Sequence, residues 1–300
     1  MENLSAQLQS VIKVKNLSKV GRFLHDPFKY FYALYTRFLY YPLTKKGKLI
    51  TTETFFGDSI DLLLPAGTDI YLTGGKSHDS ELRLSSFIID RLKSGDVFID
   101  VGAHYGFFSL LASQIVGSQG RVISYEGGND TYQVLNSNLK SKENITAVNK
   151  VVSNTQGLVH FYQFPTAYSE YNSLDIEQYK ELDWFKANIP KATPMQSIRL
   201  SNELDKISAK IIKIDVEGGE MGVLKGLEEY LDNHSPIIVI EYLSTDRKNQ
   251  SHILAAEFLM GKGFVANTII ANGTVQLCDD IETYMKTHSI DSDNIVFVRK

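Results

Sequence analysis

Residues 97–112 read VFIDVGAHYGFFSLLA: an apolar run interrupted only by Asp100, a turn carrying Gly102 and Gly106, and a second apolar stretch from Phe107. A short, nearly unbroken apolar run that hands over through a glycine turn to a helix is the pattern of a strand covered on both faces. The same rhythm extends outward. VISY (122–125), ITAVNKVV (145–152), IIKIDV (211–216) and IIVIEY (237–242) are short β-branched runs, separated by helical patterns around 107–116, 130–140 and 220–231. This alternation predicts a doubly wound α/β fold with a mainly parallel sheet sandwiched by helices. In the tail, FVANTII, an Ala-Asn-Gly turn at 271–273, TVQL and NIVFVRK read as antiparallel strands closing one edge of a seven-stranded sheet.

Composition narrows the function classes. The chain has 300 residues, 43% of them hydrophobic, and a net charge of −4, which suits one main core with an appendage and leaves no basic footprint for nucleic acid. With Cys278 as the only cysteine, neither an intrachain disulfide nor a CxxC metal site can form, so a reducing, cytoplasmic setting is expected. No stretch reaches the ~18–20 uncharged residues that span a bilayer, and no signal-like segment opens the chain.

Residues 1–50 stand apart. They hold nine Lys/Arg against Glu2 and Asp26, so this stretch carries +7 and the remainder −11. Leu4, Leu8, Val11 and Ile12 recur at helical spacing, and PFKYFYALYTRFLYYPL puts Phe28, Phe31, Tyr32, Tyr35 and Leu39 on one side of a second helix. Such a helix either packs on the main domain or a second subunit, or lies peripherally in a headgroup layer. The division expected is therefore a basic helical extension over 1–50 and a main domain over 51–300. At Thr54, TFFGDSIDLLLP reads as a β-hairpin. Ser77 reads as an N-cap, ahead of a helix with Glu81 in its first turn and an apolar stripe of Leu84, Phe87, Ile88 and Leu92.

In an open α/β sheet the ligand sits beyond the carboxyl ends of the strands, where the strand order reverses. The turn Asp100-Val-Gly102-Ala103-His104-Tyr-Gly106 is placed there, and its glycines would let a nucleotide approach the backbone. It lacks the first glycine of a dinucleotide fingerprint. It offers instead a carboxylate, which repels phosphates and attracts an ammonium group and a nearby sulfonium. The charge thus favours S-adenosylmethionine over NAD. Glu126 follows Gly102 by 24 residues, where an acidic side chain can accept hydrogen bonds from both ribose hydroxyls. The structural alternative is that Asp100 and Glu126 cap turns, and that His104 bonds backbone rather than acting as a base.

A second polar cluster, Lys213-Ile-Asp215-Val-Glu217-Gly-Gly-Glu220, lies at the exit of a central strand. Period 2 sets Lys213, Asp215 and Glu217 on one face, where buried charges must pair or bind something. Glu241 ends the adjoining strand. Asp215, Glu217 and Glu241 could supply a general base for an acceptor hydroxyl or hard oxygen ligands for Mg²⁺.

VFIDVGAHYGFFSLLA, VISYE and IIKIDVEGGEMGVLKG, followed by IIVIEY, together resemble the FkbM family of methyltransferases. The paired motifs are far more selective than a lone glycine loop and cover roughly residues 75–245. The resemblance implies a class I methyltransferase fold of Rossmann-like type, S-adenosylmethionine as donor, and O-methylation of a sugar, glycolipid or related natural product. By position it implies that Asp100, Gly102 and Gly106 flank the methionine part, with Glu81, Ala103 and His104 on the same wall. Glu126 would take the ribose, and Ser153 and Asn154 would approach adenine. Asp215 and Glu217 would face the transfer centre. The family's Pro-Asn after the ribose acid is replaced here by Gly127-Gly128-Asn129, which leaves the adenine side open.

Within the main domain the cofactor half is expected at about 75–165 and the acceptor-side half at 196–300. Between them, 164–195 is the natural lid, since long loops in compact domains are often functional. Its Phe164, Tyr168, Tyr171, Trp184 and Phe185 would stack on sugar faces or simply hold the loop down, while Ser169, Asn172 and Ser173 would bind hydroxyls. The rival readings are an NAD-dependent sugar oxidoreductase and a non-catalytic scaffold recruited by its basic N-terminus.

Overall fold

The computed structural model describes residues 2–247 and 250–300. The chain opens with helices α1 (Glu2–Lys15), α2 (Lys19–His25) and α3 (Pro27–Tyr35), which continues through a π-helical turn at Thr36–Tyr40 into α4 (Tyr41–Thr44). Side-chain caps start two of them: Ser18 Oγ accepts from the Gly21 amide and Asp26 Oδ1 from the Lys29 amide, satisfying donors that a helix end leaves open. α1 buries Leu4, Leu8 and Val11 against α5 (Thr68–Thr73) and α6 (Asp79–Arg91). Full burial of a side chain such as Leu8 stabilises by about 1.5–3 kcal/mol.

The aromatic stripe behaves in the opposite way. Phe28 and Phe31 are 88% and 61% exposed, while the small residues Ala33 and Thr36 face inward. On the docked side Tyr32 still packs on the core, and Lys29 Nζ donates to Thr52 Oγ1 at 3.2 Å and lies 5.3 Å from the Tyr71 ring centroid.

The expected hairpin exists as β1 (Lys48–Glu53) and β2 (Ser59–Leu64). Its first strand lies before Thr54, because Phe55 to Asp58 form the turn, with Gly57 at φ +89°. The boundary drawn at residue 50 therefore cuts through β1. Ser77 does not cap α6; His78 holds that position, with Asp79 and Glu81 in the first turn.

The main domain continues as β3 (Val97–Val101), α7 (Phe107–Val116), β4 (Arg121–Tyr125), α8 (Asn129–Leu139) and β5 (Ile145–Val148). Next come β6 (Val151–Val152), β7 (Gly157–Gln163), α9 (Asp183–Ala187), β8 (Lys191–Ile198), α10 (Leu200–Glu203) and β9 (Ile211–Ile214). The last third holds α11 (Glu220–Gly226), α12 (Glu228–Asn233), β10 (Ile237–Leu243), α13 (Gln250–Gly261), β11 (Phe264–Ile269), β12 (Val275–Leu277), α14 (Ile281–His288) and β13 (Ser292–Arg299). The central sheet has the order β12-β11-β13-β10-β9-β3-β4-β5. It has eight strands rather than seven, because all five parallel runs and all three tail strands, TVQL included as β12, join it.

Three local readings change. ITAVNKVV splits: Asn149 Nδ2 donates to the Glu126 carbonyl at 2.9 Å, and Val151-Val152 leave as β6 of a separate sheet, β6-β8-β7. The helix over 220–231 divides at Leu227 into α11 and α12, and α14 interrupts the tail strands between β12 and β13. Apolar cores fill both faces of the central sheet.

The chain leaves β3 toward β4 and β5, then returns on the other side of β3 as β9 and β10. The strand order therefore reverses between β3 and β9, and a crevice opens beyond Val101 and Ile214. Among the described residues, no helix is long and apolar enough to cross a membrane.

Candidate active site

A cavity of about 1110 Å³ occupies this crevice. Its wall includes Gly102, His104, Glu126, Asp215, Glu217 and Glu241, so the strand-end motifs converge on one space. Glu81 also lines it, with its carboxylate 2.9 Å from Lys76 Nζ. Burial opposes the charge on Lys76, yet Glu81 and Asp69 hold its pKa well above the usual lysine range.

The β3 turn is shaped by close packing within the chain. Gly102 sits at φ +82°, and a Cβ there would lie 1.8 Å from the Asp215 carbonyl oxygen. Gly106 sits at φ +88°, and a Cβ there would meet Leu135 at 2.7 Å. The glycines therefore let β9 and α8 approach β3, and only Gly102 forms part of the cavity wall. Asp100 is 1% exposed. Ser109 Oγ donates to its Oδ2 at 2.7 Å, and Lys213 Nζ lies 3.5 Å from its Oδ1. Asp100 lies behind the cavity wall, shares Lys213 with Asp215, and keeps an Oδ1 that accepts no hydrogen bond, so it is not on the surface offered to a ligand ammonium group.

Glu126 faces the cavity, accepting from the His104 amide on Oε2 at 2.9 Å and from the Gly128 amide and Thr131 Oγ1 on Oε1, each at 2.8 Å. Burial raises its pKa and these three donors oppose the rise. A carboxylate has about four acceptor sites, which leaves Oε2 capacity for a ligand hydroxyl. His104 has φ +50°, and its Nε2 lies 2.9 Å from Ser169 Oγ. Burial, with the charges of Lys76 and Lys213, lowers its pKa to about 3. The imidazole is neutral near pH 7 and suits hydrogen bonding better than base catalysis.

Ser153 and Asn154 are not on the cavity wall. Ser153 Oγ bonds Ser197 Oγ at 2.7 Å, and its backbone abuts Gly226 in α11. The departure of β6 from the central sheet turns these residues toward that helix. Gly127, Val151, Val152 and Phe161 provide the wall instead, an apolar surface suited to a flat base. The glycine run after Glu126 fits there: a Cβ on Gly127 would come within 2.9 Å of Val151. Ala103 and Gly106 also lie behind the wall.

Asp215, Glu217 and Glu241 are placed so that one carboxylate oxygen from each lies within 4.8 Å of the others. Period 2 does not extend this far, because β9 ends at Ile214 and Glu217 adopts φ +56°. The segment 164–190 holds that turn: Ser173 Oγ and Gln178 Nε2 donate to the Glu217 carbonyl at 2.7 and 3.0 Å, and the Tyr179 hydroxyl donates to Glu217 Oε2 at 2.6 Å. Lys213 is 3% exposed and pairs with Asp215 at 3.1 Å. Burial opposes its charge, but Asp215 and Asp100 raise its pKa. Burial, and then the neighbouring carboxylates, raise the pKa values of Glu217 and Glu241 well above the ordinary carboxylate range.

The lid aromatics pack mainly on one another. Trp184 stacks on Tyr168 and Tyr171 with centroids 4.9 and 5.0 Å away, while Tyr168 and Tyr171 also reach the cavity. Ser169, Asn172 and Ser173 serve internal bonds to His104, the Phe164 amide and the Glu217 turn. The strand β8 takes over at Lys191, so the irregular part of the lid is 164–190. Sequence reasoning missed Lys76, Tyr179 and Thr131, which sit in no motif and are recruited from other elements.

The sequence profile of the methyltransferase FkbM domain matches residues 100–288, more than half of the chain. The chain belongs to this family and is an S-adenosylmethionine-dependent methyltransferase of the class I fold, which removes the nicotinamide reading. No curated protein sequence matches it. Among solved structures it is similar to a methyltransferase FkbM from Methylobacillus flagellatus KT, at 15% identity and TM-score 0.43, over 77% of this chain and 52% of that one. This chain thus spans about half the length of that protein. It is also similar to an S-adenosylmethionine-dependent O-methyltransferase from Thermotoga maritima, at 15% identity, TM-score 0.41 and 85% and 78% coverage of this chain and that one. An O-methyltransferase from Bacillus cereus in complex with S-adenosylhomocysteine gives 12%, 0.43, and 75% and 84%.

The residues fit the cofactor. Glu126 Oε2 is available to a ribose hydroxyl, Val151, Val152 and Phe161 offer an apolar wall for adenine, and the acid cluster provides negative charge for a sulfonium.

Proposed function

We propose that this methyltransferase methylates a hydroxyl of a sugar, glycolipid or related natural product, with Glu241 as general base. The observation that carries this reading is the convergence of Asp215, Glu217 and Glu241 on the cavity wall beside the Gly102 turn. The bound cofactor supplies a methyl group on a positively charged sulfur. The protein's contribution is alignment, because holding two reactants in a near-attack arrangement removes most of the entropic barrier.

Within the cluster the roles divide by partner. Lys213 fixes Asp215 and Tyr179 fixes Glu217. Glu241, its proton affinity raised by burial and by Asp215, is a stronger base than an ordinary carboxylate and can take the acceptor proton. The cavity exceeds the ~300–1,000 Å³ of a typical ligand site, leaving room for an acceptor beside the cofactor. The rings of Tyr168 and Tyr171 on its wall offer flat faces to sugar C–H groups.

The experiment is methyl transfer across a panel of hydroxylated glycans with wild type and Glu241→Gln, alongside S-adenosylhomocysteine affinity. Turnover lost at unchanged affinity supports the reading; unchanged turnover removes Glu241. A second reading rests on the same oxygens, which form a hard donor set for Mg²⁺. Activity abolished by chelation and restored by Mg²⁺ favours it, and activity indifferent to chelation favours the base.

A further inference from the structure

The outer surface of α2, α3 and α4 has an unusual composition, and most of it lies outside the cavity wall. Leu24, Phe28, Phe38 and Leu43 are 70%, 88%, 67% and 77% exposed. From Phe28 the apolar side chains recur at Phe31, Tyr35, Phe38 and Leu39, a spacing that keeps them on one side of a helix. Exposed cations accompany this stripe at Lys19, Arg37, Lys45, Lys46 and Lys48. Ala33 and Thr36 face the interior, and Phe31 packs edge-on against Phe23 at 5.3 Å, yet most of the stripe stays open to solvent.

We propose that this face docks on an anionic lipid surface, with the bulky apolar side chains entering the headgroup boundary and the lysines and arginines meeting lipid phosphates. Charge complementarity selects this occupant. The segment 1–50 carries +7 on a chain whose remainder carries −11, so a negatively charged bilayer attracts this end and repels the other. A second copy of the chain would have to bring two such positive faces together.

The same segment lines the cavity mouth. Arg22, Arg37, Phe38, Tyr41, Pro42 and Lys45 belong to the wall that reaches inward to Glu126 and Glu241. The Ala167 amide donates to the Tyr41 hydroxyl at 3.3 Å, which ties the lid to the module. A docked molecule therefore turns its cavity toward the headgroup layer. That the acceptor enters from there, as a lipid-anchored hydroxyl compound, rests on the methyl-transfer reading.

The test is cosedimentation of the full chain with phosphatidylserine/phosphatidylcholine vesicles and with pure phosphatidylcholine vesicles, at low and high salt. Wild type is compared with Leu24→Ser/Phe28→Ser/Leu43→Ser, whose three positions are exposed and outside the cavity wall. Binding to the anionic vesicles that falls about tenfold or more in the variant, and weakens with salt, supports the proposal. Absence of wild-type binding, or equal partitioning of the two proteins, overturns it. So does a wild-type dimer in light scattering that the variant dissolves, since that would make the face an interface between copies. S-adenosylhomocysteine affinity, equal in both proteins, shows that the variant is folded and separates failure of docking from failure of the active site.

Discussion

The two ends of the cavity use the same chemical group and treat it in opposite ways. At one end Glu126 accepts three hydrogen bonds, from the His104 amide of the β3 turn, from the Gly128 amide and from Thr131, which fix its carboxylate in place. At the acceptor end Asp215, Glu217 and Glu241 crowd together, with Lys213 and Tyr179 holding only two of them. Burial raises the proton affinity at both ends, but the donors at Glu126 oppose the rise and the crowded carboxylates at the other end add to it. This contrast between rigid recognition and stored electrostatic tension is what the following experiments probe.

The largest effect is expected from Glu241→Gln, which should slow turnover by about 10²–10⁴-fold while S-adenosylhomocysteine affinity stays within about twofold in calorimetry. Gly102→Ala attacks the junction between the two ends. With φ at +82° and a carbonyl oxygen 1.8 Å from the new Cβ, it should cost at least about 3 kcal/mol in urea unfolding, or give no folded protein. Glu126→Ala should weaken S-adenosylhomocysteine about 10- to 100-fold, the value of ~1.5–3 kcal/mol for hydrogen bonds to a charged group. A similar loss on mutating Glu241 would erase the distinction between binding and reacting carboxylates.

Two smaller effects follow from protonation. A carboxylate whose folded-state pKa is raised contributes stability below its unfolded pKa and loses it as pH rises through the folded value. Glu241 is such a group. Glu241→Gln should therefore raise the melting temperature by a few degrees near pH 8, and the gain should vanish near pH 4.5, as seen by calorimetry at the two pH values. His104 has the opposite sign, because its pKa is lowered to about 3. Stability from the neutral ring is present above pH ~6.5 and lost as pH falls toward the folded value. Its imidazole resonances should show no titration between pH 8 and pH 5 in NMR, and an inflection near 6.5 would mean the ring is open to water.

Much of the fold was legible because its signals are local. VFIDV, IIKI and IIVIEY are runs that only a sheet covered on both faces can bury, and the antiparallel tail announced itself through the Ala-Asn-Gly turn. The errors arose where neighbours overrode a run. ITAVNKVV reads as one strand, yet Asn149 bonds the Glu126 carbonyl and diverts the chain. PFKYFYALY reads as an amphipathic helix that either packs on the domain or faces a headgroup layer, and only the fold decides that Tyr32 packs on the core while Phe28, Phe31 and Tyr35 stay exposed.

The sequence by itself determined which strand ends would meet and which acids they would carry, because strand burial, glycine turns and residue order are properties of short segments. Only the tertiary structure decided what those acids do. Asp100 is hydrogen-bonded by Ser109 and shares Lys213 with Asp215 behind the cavity wall, while Glu217 is held by Tyr179. Ser153 is drawn away from the cavity toward α11. A carboxylate's charge state and direction depend on partners brought from distant parts of the chain and on the water that packing excludes, and neither is encoded in the residues beside it.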